Sequence, residues 1–136
     1  MTAVFRFNPS ELYQELPGPG YYGALIMAAQ CCHSSRGNPM LKVSYQLDEV
    51  ADSYARVADY FVLEGVSPQG AAMARRRLAE LCRAAGLDPL AGQLVVSELV
   101  GIQLQVKVDL DSYGDQPRLK VVGYREQGFA QVNISG

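Results

Sequence analysis

Histidine is nearly absent from this chain: His33 is the only one among 136 residues. A His-based acid–base pair, a His-rich metal site or a Ser-His arrangement can therefore be built only around that one residue. Cysteine is scarce and odd in number, with Cys31, Cys32 and Cys82. A disulfide framework normally uses an even, spread set, so reduced and mostly buried thiols are expected. No apolar run approaches the ~18 to 20 residues of a membrane span. The start of the chain lacks the basic, apolar and small-residue segments of a signal peptide, so a cytoplasmic protein without a membrane partner is expected. No Walker-type glycine loop is present, and Gly18-Pro19-Gly20 is too rich in proline to imitate one. The carboxylates are scattered through loops. A non-enzymatic protein with no cofactor follows from these absences. A formal net charge of -2 offers no global attraction for a polyanion, so any nucleic-acid contact needs a local cluster of Lys and Arg.

With 49% hydrophobic and 19% charged residues, the chain has enough apolar surface for one domain with its own core. Pro9, Pro17, Gly18, Pro19 and Gly20 make residues 1–20 an arm. The apolar run from Tyr21 to Gln30 stops at turn chemistry, His33 to Pro39. Leu41, Val43, Tyr45 and Leu47 then alternate with Lys42, Ser44 and Gln46, the pattern of a half-buried strand that pairs with the preceding run. In the third strand Val57, Phe61 and Leu63 share a parity with Asp59, opposite Arg56, Tyr60 and Val62, and the acid leaves open which face is buried.

Ser67-Pro68 is a helix start and Gly86 a stop. Between them Ala71, Ala74, Leu78, Leu81, Cys82 and Ala85 form an apolar stripe. Arg75-Arg76-Arg77 spreads around the helix surface, so most of it is expected to be a solvated face. Ile102, Leu104, Val106 and Val108 alternate with Gln103, Gln105 and Lys107 in a fourth strand. A turn at Asp111-Ser112-Tyr113-Gly114-Asp115 leads to a fifth, Arg118 to Arg125, in which Arg118, Lys120, Val122 and Tyr124 share one face. Residues 21–125 are thus mainly β, with one helix between strands three and four, and 126–136 form a polar tail. The order β-β-β-α-β-β is that of the OB-fold, a five-stranded barrel that commonly binds oligonucleotides or oligosaccharides.

Cys31-Cys32-His33 is no zinc motif, because adjacent strand residues point to opposite faces and zinc sites space their cysteines by two to four residues. The informative residues are basic and aromatic. Arg36 sits in the first hairpin turn, Lys42 on strand two, Arg56 and Tyr60 on one face of strand three, and Lys107, Arg118, Lys120 and Tyr124 in the last hairpin. Tyr45 and Phe61 share parity with aliphatic neighbours and belong to the core. Single-strand binding needs cations to follow phosphates and rings on which bases stack.

The chain resembles a family of small phage and prophage proteins of unknown function that look like OB-fold single-stranded-DNA-binding proteins. The likeness runs through the apolar first strand and Ser35-Arg36-Gly37-Asn38-Pro39-Met40-Leu41, and through the strand from Arg56 to Leu63. It continues in the Leu81 to Gly86 helix end, Val100-Gly101, Gln105-Val106-Lys107-Val108 and the Tyr113-Gly114 turn. It implies binding of single-stranded DNA in phage-type replication or recombination, beside a recombinase or replication protein, as a homo-oligomer in a bacterial or phage-infected cell. It carries the basic turn onto Arg36 and the strand-two cation onto Lys42. The expected site is Arg36, Lys42, Arg56, Lys107, Arg118 and Lys120 for phosphates, with Tyr60 and Tyr124 for stacking. The alternative is a protein-interaction or assembly module on the same barrel, without nucleic-acid binding.

Overall fold

The computed structural model describes residues 2–7, 17–50, 54–113 and 116–127. Five strands and one long helix follow in the expected order: β1 (Gly20–His33), β2 (Pro39–Leu47), β3 (Arg56–Phe61), α1 (Pro68–Ala84), β4 (Gln103–Tyr113) and β5 (Gln116–Glu126). Two short 3-10 turns, Pro89–Ala91 and Val96–Glu98, join α1 to β4. All pairings are antiparallel, in one sheet of order β3-β2-β1-β4-β5. Of the expected arm, residues 2–7 are exposed and outside any helix or strand, and the expected tail lies outside the described residues beyond position 127. No helix among the described residues is long and apolar enough to cross a membrane.

Local chemistry explains the helix. Ser67 Oγ accepts the Gly70 N–H at 3.1 Å and Pro68 occupies the first turn, where a missing N–H costs nothing. At the other end the Leu87 N–H donates to the Cys82 carbonyl and the Gly86 N–H to the Arg83 carbonyl, the paired bonds of a Schellman stop. The stripe faces inward through Ala71, Ala74, Leu81 and Cys82. The helix packs mainly on β5 and also on β3, so it lies over the two strands that form the sheet's edges. Ile26, Val43, Tyr45, Leu81, Leu99, Leu104, Val106 and Val108 form the fully buried centre.

Two irregularities decide which side chains face out. In β1 the register with β2 shifts between Ile26 and Ala28, making Met27 an extra, exposed residue. In the β4–β5 ladder Lys107 faces Gly123 while Val108 faces Val121, so Val122 is a second extra residue. An added residue reverses the facing of everything beyond it. Arg118 and Lys120 therefore point outward whereas Tyr124 points inward, which corrects the expectation that they share a face. Of the expected turn at 111–115, Asp111, Ser112 and Tyr113 belong to β4, and 114–115 lie outside the described residues.

The facing of β3 follows its acid rather than excluding it. Val57, Asp59 and Phe61 are all buried. The Asp59 carboxylate accepts bonds from Arg77 Nε at 3.1 Å, Arg77 Nη2 at 3.2 Å, Tyr124 Oη at 2.7 Å and its neighbour's backbone, Tyr60 N–H, at 2.8 Å. Tyr45 Oη donates to Tyr124 Oη at 2.8 Å. Four donors satisfy the buried charge, as burial requires. The network ties β2, β3, β5 and α1 together where β3 and β5 come into contact without a backbone ladder among the described residues. Arg77 is thus drawn out of the solvated row in which sequence spacing put it.

Candidate nucleic-acid interface

Lys42 and Tyr60 are directly opposite one another on β2 and β3. Lys42 Nζ stands 5.7 Å from the centre of the Tyr60 ring, within range of a cation–π contact, and Tyr60 is 48% exposed. Four residues away on β3, Arg56 points to the same side, as period-two alternation requires. Lys42, Arg56 and Met27 line a shallow hollow of about 220 Å3. Arg56 and Tyr60 line a second, more polar hollow of about 360 Å3, completed by Tyr54 and by Arg118 from β5. The hollows share Arg56, so Lys42, Arg56, Tyr60 and Arg118 form one strip that crosses β2 and β3 and reaches β5. The Arg77 guanidinium also bonds the Tyr60 carbonyl at 3.2 Å, which anchors the strip's aromatic residue from beneath.

The other expected residues do not line these two hollows. Arg36 is exposed in the β1–β2 turn and lines a separate hollow with Asn38, Gly65 and Val66. Lys107 is exposed on β4, with Nζ 5.8 Å from the Tyr21 ring. Lys120 is exposed directly across from Asp109, and Arg118 is across from Asp111, so a carboxylate tempers each cation. Tyr124 is 5% exposed and held by Tyr45 and Asp59, so no base can stack on it in this arrangement. Desolvation of the buried phenols pushes the pKa values of both Tyr45 and Tyr124 up, for Tyr124 reinforced by the Tyr45 and Asp59 charges.

Three participants were missed by sequence reasoning. Tyr21 is exposed on β1, and the Arg125 guanidinium lies 3.8 Å from its ring centre while donating to Gln105 Oε1. Together with Lys107 these make a second cation–aromatic patch on the β1, β4 and β5 side of the sheet. Tyr21 is hidden in a continuous apolar run, and Arg125 stands beyond the Val122 bulge. Met27 follows the inward Ile26 and so faces out, and as the bulge residue of β1 it has no partner on β2.

The remaining chemistry is sparse. Burial pushes the Cys82 thiol pKa up, which makes it a core group rather than an activated nucleophile. Among the described residues no three His, Cys, Asp or Glu side chains gather as a metal site would need. Compared with protein-family models and with curated proteins, the chain matches none.

Proposed function

We propose that the protein binds single-stranded DNA along the Lys42–Tyr60–Arg56–Arg118 strip of an OB-like barrel, without catalysis, in phage-type replication or recombination. The supporting observation is the exposed Tyr60 ring flanked by Lys42, with Arg56 lining the hollows on both sides of β3. A flat ring between cations offers a stacked base a π-face and its phosphates a counter-charge. The β3-β2-β1-β4-β5 order, with β3 and β5 brought together under α1, supports the barrel reading. The Tyr21, Lys107 and Arg125 patch would extend the path of the strand, and a recombinase or replication protein remains the proposed partner.

Fluorescence anisotropy of a labelled oligonucleotide of ~30 nucleotides, long enough for more than one site of this kind, tests the reading. Binding should weaken steeply with salt and resist duplex competitor. Arg56→Ala should weaken all sequences equally and reduce the slope of log K against log salt by about 0.7, the value of one single-strand phosphate contact. Tyr60→Ala should cost ~1–3 kcal/mol with little change of slope. Absence of binding at low salt would leave the interaction-module alternative instead.

A further inference from the structure

A second surface has a different chemistry. Between the far end of the β1–β2 hairpin, the segment after β3, and α1 lies a hollow of about 390 Å3, lined by Met40, Leu41, Phe61, Leu63 and Leu78 with the exposed Glu64 among them. The adjoining strand edge is open. β1 pairs with β4 only over residues 20–25, and Ile26 then bonds the backbone of Gly101 and Ile102. From Met27 to His33 it has β2 on one side and no strand on the other among the described residues. An apolar hollow beside an open edge suits an extended segment that offers alternate apolar side chains.

The chain itself carries such a segment. Phe5 and Phe7 are 88% and 54% exposed, with ring centres 6.5 Å apart, and Val4 beside them is exposed as well. Arg6 separates the two rings. Among the described residues neither Arg6 nor Glu64 is in an ion pair, so the segment's cation and the hollow's carboxylate are complementary and unspent.

Reach favours a second copy. Cys31, beside the hollow, is eleven residues along β1 from Gly20, or ~36 Å at strand rise. Phe7 is thirteen residues before Gly20, at most ~45 Å when fully stretched. Its own segment would have to double back nearly straight along a strand that pairs with β4 over residues 20–25 and with β2 from Ala24 onward. We propose that residues 4–7 of one protomer dock in the hollow of a second copy, with Phe5 and Phe7 filling it and Arg6 paired to Glu64. This is independent of DNA binding.

The chain contains no tryptophan, so Phe5→Trp is a single fluorescent reporter. Its emission should move to shorter wavelength as protein concentration rises through roughly a hundredfold range, in step with association seen by sedimentation velocity. Glu64→Arg in that background should weaken both changes roughly tenfold, and adding Arg6→Glu should restore them. Glu64 is exposed, so these variants should keep the parent's circular dichroism spectrum. Emission that stays solvent-like at every concentration would overturn the proposal. So would a blue-shifted emission independent of concentration, which means docking within one chain, or an unchanged association of Glu64→Arg.

Discussion

Arg77→Met is the sharpest test of how this fold holds its edges together. The substitution keeps a long apolar stem on α1 but removes three hydrogen bonds, at 3.1, 3.2 and 3.2 Å, two of them to the Asp59 carboxylate. Asp59 stays buried, with 7% of its side chain exposed against 18% for Arg77. Taking one partner from a buried pair costs ~3–5 kcal/mol because the other charge is left uncompensated. Tyr124 and the Tyr60 N–H still bond the carboxylate and Arg77 is partly solvated, so a loss of about 3 kcal/mol is expected. With a urea slope of about 1.5 kcal/mol/M, the midpoint should fall by about 2 M. Arg76→Met, one residue away on the exposed side, should change stability by no more than about 0.5 kcal/mol. Asp59→Asn combined with Arg77→Met should be more stable than Arg77→Met alone, since no buried charge remains. A midpoint for Arg77→Met within about 0.3 M of the parent would refute the reasoning and return Arg77 to the solvated row.

Alkaline pH should unfold the protein through its buried phenols. Tyr45 and Tyr124 have pKa values raised above the ordinary tyrosine value by desolvation. The folded state therefore holds protons that the unfolded state releases above about pH 10. Stability from this source is complete below that pH and is lost as pH rises toward the folded-state values, by up to about 1.4 kcal/mol per pH unit for each ring. Urea midpoints should be flat below about pH 9.5 and fall beyond it, and Tyr45→Phe should roughly halve the slope; an unchanged slope would sink the assignment. Gly65→Ala should destabilise by ~1–3 kcal/mol, because φ is +74° there and a Cβ would stand 2.2 Å from Asn38 Nδ2. Thermal melts should show Asn38→Gly recovering the steric part of that loss, whereas a neutral Gly65→Ala would mean that the β1–β2 turn moves freely away.

Local signals were legible where one short stretch of chain decides the outcome. Ser67-Pro68 and Gly86 bound α1 because caps act within a turn of themselves. The alternation from Ile102 to Val108 buries Leu104, Val106 and Val108 because one polar face settles the register. The strip was half legible: Lys42, Arg56 and Tyr60 were found by parity on adjacent strands. Arg118 joins them only because β5 comes round to β3; Arg36 lines a separate hollow, Lys107 stands beside Tyr21, and Lys120 is across from Asp109.

The amino-acid sequence alone determined the element order, the helix and the inward faces of β2 and β4, since each depends on neighbours a few positions away. Tertiary structure decided the rest. One inserted residue, Val122, turns Tyr124 from surface to core, and a bulge is energetically cheap enough that no local pattern announces it. Asp59 could face inward only because Arg77, eighteen residues on, and Tyr124, sixty-five residues on, both reach its carboxylate. A buried charge is tolerable when its donors come from other elements, and which elements meet is settled by packing.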